Sequence, residues 1–214
     1  MEIVDDLVAL NPHLKNKKDE LSFYEVWDEN FDNVIGRDKV TVDSKEPWKV
    51  TGNLDWDNKQ IKQLPESIGD LNLDGIFQLD ENDFTTLPNS FGGLEVSEDL
   101  FMVHGKLRNL PDEFGSLTVG GDLTLRDNQL TSLPESFGSL TVGGSVLLDD
   151  NQLTSLPESF GNLTVGEHLS LYGNQLTSLP ESFGNLTVGG DLSLGNNQLT
   201  SLPEFANVGG DVYH

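Results

Sequence analysis

Catalysis needs a few reactive side chains at fixed spacing, and this chain of 214 residues offers few. Its four histidines, His13, His104, His168 and His214, are scattered, and no H-E-x-x-H, glycine-rich phosphate loop or nucleophile motif surrounds them. Cysteine is absent, which excludes thiolate metal sites, cysteine nucleophiles and a disulfide scaffold. The Ser and Glu of a recurring E-S-F-G string occupy the same position in copy after copy, the reverse of a singular active site. No enzyme, catalytic residue or cofactor is expected. Adjacent carboxylates such as Asp149-Asp150 suit calcium, but no EF-hand loop or G-G-x-G-x-D repeat accompanies them, so no metal is expected. Two glycosylation-type strings, Asn162-Leu163-Thr164 and Asn185-Leu186-Thr187, read as by-products of repetition because no secretory signal pattern opens the sequence.

Binding chemistry is better represented. Phe101, Val103, Leu147 and Tyr172 are apolar or aromatic in stretches that are otherwise polar, with His104, Arg126, Asp127, Asp149, Asp150 and His168 around them. That combination suits an apolar anchor with an acidic rim. Single exposed apolar residues are also common on any surface, which is the competing explanation. The chain carries 36 acidic and 12 basic residues, a formal net charge of -24. Residues 63–214 hold 22 acids against Lys106, Arg108 and Arg126, so most of the excess lies there. Such a charge disfavours nonspecific contact with nucleic acid or anionic membrane, both polyanions. It favours a protein partner with a basic surface, or serves solubility alone.

These residues are positioned by repetition. Leu-Pro recurs at Leu64, Leu87, Leu110, Leu133, Leu156, Leu179 and Leu202, always 23 residues apart, which defines copies one to seven. Each copy carries an alternating apolar pair: Leu54/Trp56, Phe77/Leu79, Leu100/Met102, Leu123/Leu125, Val146/Leu148, Leu169/Leu171 and Leu192/Leu194. Period-2 alternation predicts a short half-buried strand. One strand per copy cannot pair within that copy, so it must pair in parallel with the next, at about 4.8 Å per coil. Asn82, Asn128, Asn151, Asn174 and Asn197 follow the strand and suit a stacked ladder that bonds turn backbone. Lys59 and Gly105 replace it in copies one and three, where less regular turns are expected. Ile68, Phe91, Phe114, Phe137, Phe160 and Phe183 predict an apolar spine behind the strands. Pro134 suits the first turn of a short helix. Gly143-Gly144 suits a tight or positive-φ return, and Leu-Thr-Val is too short and β-branched for a long helix.

The string L-x-L-x-x-N-x-L-x-x-L-P, clearest at Leu123-Leu125-Asn128-Leu130-Leu133-Pro134 and again over 146–157, 169–180 and 192–203, resembles a leucine-rich repeat. The L-T-V-G-G variant looks like that of repeat proteins from phages, large DNA viruses and protists. The resemblance implies an α/β-type solenoid: a parallel β-sheet on one face, a short 3-10 or extended back side, shallow curvature and an α+β N-terminal cap. It also implies a non-enzymatic module that binds another protein on the strand face. By alternation, the residues between and beside the strand leucines point onto that face. Copies three to six then supply a candidate contact surface of Phe101, Val103, His104, Arg126, Asp127, Leu147, Asp149, Asp150, His168 and Tyr172. The alternatives are a structural component of a larger, possibly viral, assembly, and an acidic nucleic-acid mimic that inhibits a basic nucleic-acid-binding enzyme.

Residues 1–51 read as an N-terminal cap and 52–214 as the solenoid. Ile3-Val4-Leu7-Val8-Leu10 fits an amphipathic helix stopped at Pro12, and Leu21, Tyr24, Val26, Trp27 and Phe31 fit a second. Val40, Val42 and Val50 alternate like strand residues, and Trp48 is placed to cover the first coil. A shortened last copy, ending at Val212-Tyr213-His214, predicts an edge strand open to end-to-end self-association. No run of about 18 apolar residues exists, and a cytoplasmic location, in the protein's own cell or a host's, is expected.

Overall fold

The computed structural model describes the backbone at residues 8–10, 12, 41–43, 46–205 and 207–214, and side chains at 8–10, 12, 49–205 and 207–214. The alternating pairs form the expected strands. Leu54–Asp55, Phe77–Gln78, Leu100–Phe101, Leu123–Thr124, Val146–Leu147, Leu169–Ser170, Leu192–Ser193 and Val212–Tyr213 make one eight-stranded sheet, each paired in parallel with the strand one coil away. Register is exact to the repeat: Leu100 aligns with Leu123, and Val146 with Leu123 and Leu169. This is the front ladder.

The back side forms a ladder of its own. Thr118–Val119, Thr141–Val142, Thr164–Val165 and Thr187–Val188 pair in parallel within a nine-stranded sheet. Threonine is exposed and valine buried in each of these strands. The Thr-Val pair is itself a period-2 pattern, and β-branched residues suit a half-buried pleat. The sheet ends in the antiparallel hairpin of Thr41–Asp43 and Glu46–Thr51, so Val42 and Val50 lie in strands as expected and align with one another. Glu46–Thr51 then pairs in parallel with Asn72–Asp74, which joins the N-terminal segment to the first coils.

Between the two ladders the chain makes a five-residue 3-10 turn, as in Glu135–Ser139. Pro134 precedes it at φ -70 and ψ 157, so the proline sits at the cap rather than inside the first turn. The amides of Phe137 and Leu140 bond the carbonyls of Pro134 and Phe137. The phenylalanine of each turn points inward. Phe91, Phe114, Phe137, Phe160 and Phe183 stack with centroids 5.7–6.1 Å apart and nearly parallel planes. Phe205 closes the column edge-on in the shortened copy. Burying each ring contributes about 1.5–3 kcal/mol before entropy.

Glycine at the end of each back strand answers to proximity rather than to a left-handed turn. Neither Gly143 nor Gly144 has a positive φ in the glycine-favouring range, so the expected positive-φ return is not used there. A Cβ on Gly143 would lie 2.2 Å from the carbonyl oxygen of Gly120 in the preceding coil. The coils touch backbone to backbone at that corner.

The asparagine ladder forms as expected. Asn128 donates through Nδ2 to the carbonyls of Met102 and Leu125, and its Oδ1 accepts the amide of Leu107. Copy one, with Lys59, is irregular: Gln60 is a second left-handed residue beside Asn58. Copy three keeps the ordinary turn, with His104 at φ 54. Its Gly105 leaves room for Asn128, whose Oδ1 lies 2.7 Å from where a Cβ would stand. Near the N-terminus residues 8–10 are helical and Val8 packs against the core. The rest of the first expected helix, all of the second and the side chain of Trp48 lie outside the described residues.

Candidate functional site

Three columns of variable residues run along the front ladder, and a fourth occupies the turn that follows it. Their identities have different causes. The turn column is Asn58, Glu81, His104, Asp127, Asp150, Gly173 and Asn196, and every member has positive φ, between 51° and 70°. That region admits glycine freely, favours Asn, Asp and His among the rest, and excludes β-branched residues. His104, Asp127 and Asp150 are therefore residue types that this backbone conformation favours, although Glu81 adopts it as well. His104 Nδ1 and Asp127 Oδ2 are also 3.4 Å apart across adjacent coils.

The column preceding the strand is a second side-chain ladder. Asp99 accepts the amide of Asp122, Asp122 that of Ser145, and Ser145 that of His168. His168 Nδ1 accepts the amide of Asp191 at 3.0 Å, and Asp191 accepts that of Asp211. These positions use a short acceptor; Ile76 in copy two receives no such bond and interrupts the ladder, its own amide donating to Asn53 Oδ1. The 3.8 Å approach of His168 Nδ1 to the Asp191 carboxylate is secondary, because a nitrogen that accepts the amide carries no proton to share. His168 is thus a rung of the scaffold.

The column within the strand holds Phe101, Thr124, Leu147 and Ser170, in register across four coils. Phe101 and Leu147 are half-buried, and the smaller Thr124 and Ser170 are buried between and beside them. The column after the strand holds Val103, Arg126, Asp149 and Tyr172. Val103 is half-buried, Arg126 exposed, and Tyr172 is 45% exposed, one of few large apolar side chains so displayed. The ring of Tyr172 lies against Gly195, where a Cβ would come within 3.2 Å of it. Asp149 behaves otherwise: it is 5% exposed, accepts the Ser170 hydroxyl at 2.5 Å and pairs with Arg126 Nε at 3.2 Å. Adjacent Asp150 is exposed, so the two carboxylates do not act together. Among the described residues, no group of three or more His, Cys, Asp or Glu is arranged to hold a metal ion.

All ten candidate residues therefore lie on the front ladder or the turns flanking it. Phe101, Val103, Leu147 and Tyr172 share its outer face, and no backbone or ladder requirement accounts for their side chains. A further acidic group was not singled out by sequence: Asp55, Asp57 and Asp80 at the N-terminal end of the same face. Asp57 accepts the amide of Asp80, and Asp80 that of Val103. Burial pushes the Asp57 carboxyl up to about 6, against the opposing pull of its bond from the Asp80 amide. The negative charges of Asp80 and Asp55 add to the rise and Lys59 opposes it. Burial raises Asp80 as well. The signal for this group was three aspartates in two adjacent columns of copies one and two.

A family model described as Leucine Rich Repeat matches residues 167–186. The crystal structure of PEPR1-AtPEP1 superposes with a TM-score of 0.55 at 25% identity, covering 96% of this chain and 32% of that one. A Leptospira interrogans LRR protein, LIC12759, aligns at 29% identity with a TM-score of 0.45, covering 67% of this chain and 43% of that one. This chain thus spans less than half the length of either. No curated protein matches it. Its repeats, its stacked parallel ladders and the superposition on PEPR1-AtPEP1 give this chain the solenoid fold of leucine-rich-repeat proteins. No helix among the described residues is long and apolar enough to cross a membrane.

Proposed function

We propose that this chain is a non-enzymatic protein-binding module whose partner docks on the front ladder over Phe101, Val103, Leu147 and Tyr172. The observation that carries the reading is the contrast between columns. The scaffold suits the residue types at the left-handed turn and, except at Ile76, in the preceding ladder, yet gives no reason for a phenylalanine, a leucine and a tyrosine on the outer face of the sheet. A threonine or serine fills the in-strand position in copies four and six and makes the same sheet. The fold likeness to PEPR1-AtPEP1, a structure that by name includes AtPEP1, supports a binding role for a leucine-rich repeat face. A preformed sheet loses little entropy on association. The anchors supply affinity, and the net charge of -24 favours a basic partner surface and speeds encounter with it.

The test is affinity capture from extract of the native host, comparing wild type with a Phe101→Asp/Leu147→Asp variant and a back-face control, Thr141→Asp/Thr164→Asp. The proposal expects proteins retained by wild type and the control but lost by the front-face variant. Equal retention by all three proteins would remove the front ladder from consideration.

A further inference from the structure

Asp149 is the anomaly of the front face. Its counterparts Asp57 and Asp80 direct a carboxylate oxygen at the main-chain amide of the next coil. In copy five the corresponding amide, that of Tyr172, faces the Ser170 hydroxyl at 3.5 Å, and that hydroxyl in turn donates to Asp149 Oδ1. Oδ2 is left buried with no hydrogen-bond partner. The Arg126 Nε atom lies 3.2 Å from it without the alignment of a hydrogen bond. A buried carboxylate oxygen without a bonded donor costs free energy, and native structures rarely leave one so. Arg126 is itself largely exposed, with 45% of its side chain accessible, and covers that oxygen from the solvent side. Leu147 stands two residues before Asp149, Tyr172 one coil beyond it, and the exposed carboxylate of Asp150 next to it.

We infer that Asp149 is the recognition point for an arginine side chain of the partner, and that Arg126 is a built-in occupant which that arginine displaces. The inference rests on the front ladder being the docking face. A guanidinium can direct paired N–H groups at Oδ2 while its flat face lies on an exposed ring such as that of Tyr172. The apolar stem of the same side chain would run over Leu147, and Asp150 and Asp127 would favour its approach. A lysine ammonium lacks the plane and the fork, and a neutral isostere lacks the charge. In the free protein Arg126 neutralises Asp149 in poor geometry. In the complex a better-aligned donor replaces it.

Panning a phage-displayed random dodecapeptide library against the intact chain supplies the probes, and fluorescence anisotropy of synthesised binders supplies the readout. Binders should carry an arginine flanked by apolar residues. Replacing that arginine by citrulline should weaken binding by about tenfold to a hundredfold, and by lysine less. Asp149→Asn should erase the difference between arginine and citrulline. Arg126→Gln, which removes the occupant and leaves the Asp149 side chain in place, should tighten binding severalfold. That tightening is a gain which a purely structural ion pair would not give, and it holds the inference to account should Asp149→Asn fold poorly. Peptides that depend on Phe101 and Leu147 but are indifferent to citrulline, or whose affinity falls in Arg126→Gln, overturn this inference and leave the docking face standing. Binders unaffected by Phe101→Asp and Leu147→Asp, or no binders at all, overturn both.

Discussion

Asn151 joins copies four and five, and its replacement by alanine measures what the asparagine ladder contributes. The buried amide of Asn151 donates to the carbonyls of Leu125 at 2.9 Å, Leu148 at 3.1 Å and Asp149 at 3.2 Å. Its oxygen accepts the amide of Leu130 at 3.0 Å. Leu125 and Leu130 belong to copy four and have no accessible surface, so water cannot take over either bond. Asn151→Ala therefore leaves the buried Leu130 amide without an acceptor, while the carbonyls of Leu125, Leu148 and Asp149 keep donors in Asn128, Asn174 and the Asp127 amide. At about 1–3 kcal/mol for one stranded group, the expected loss is about 1–3 kcal/mol. With a urea m-value of about 2 kcal/mol/M, the midpoint falls by about 0.5–1.5 M. Solenoid repeats contact only their neighbours, so the transition should also lose cooperativity between copies one to four and five to seven. Equilibrium urea unfolding followed by circular dichroism gives the loss, and hydrogen exchange at the Leu130 amide locates it. Asn151→Asp keeps the acceptor but turns a carboxylate toward three carbonyls, and should be worse than alanine at neutral pH. A loss under about 0.5 kcal/mol with the Leu130 amide still protected would refute the idea that these bonds hold the coils together.

Three further outcomes follow from the same geometry. The Asp57 carboxyl titrates near 6 in the folded chain, above its ordinary value of 3.8, so folding favours its neutral form. Its ionised form therefore destabilises the fold above that pH, and the penalty is relieved as pH falls from 7 toward 5. The urea midpoint should rise over that window, with a smaller rise in Asp57→Asn, which separates this group from the general relief of net charge. At the left-handed position of copy five, Asp150→Gly should be neutral or slightly stabilising in thermal melts. Asp150→Val should cost about 1–2 kcal/mol, since a β-branched residue resists a φ of 51°. Gly143→Ala should lower the melting temperature through a clash with the Gly120 carbonyl. Overpacking of this kind costs about 1–3 kcal/mol, and an unchanged melt would mean that the corner has slack.

Much of the fold was legible in the residues because a solenoid repeats its physics. The Leu-x-Leu pairs, the post-strand asparagines and the phenylalanines recur at one spacing, and each has a single structural use. The second ladder was less visible: Thr-Val in copies four to seven alternates over only two residues, too short a run to separate a paired strand from extended chain. Its partner in register is another copy rather than a sequence neighbour. Glycine had two readings, and contact between coils, which the sequence does not display, decided for proximity over positive φ at Gly143. The variable columns were harder. Asn58, Glu81, His104, Asp127, Asp150, Gly173 and Asn196 are largely the residue types of a left-handed position, a signal present in the sequence but outweighed there by their variability. Asn53, Asp99, Asp122, Ser145, His168 and Asp191 share only the ability to accept a bond, which becomes apparent once the next coil's amide is seen beside them. Removing both columns leaves a smaller, more apolar face than the acidic rim suggested. The aspartates at 55, 57 and 80 emerged only when burial was known.

The account depends most on which side of the solenoid meets the partner. Photo-crosslinking addresses this directly, with benzoylphenylalanine placed at Leu147 on the front ladder or at Thr141 on the back, six residues earlier in the chain. In extract of the native host, the account predicts one dominant adduct from position 147, competed away by excess unmodified chain but not by the Phe101→Asp/Leu147→Asp variant, and none of that mass from position 141. The same adduct from position 141 alone, or equal yields from both, would contradict it.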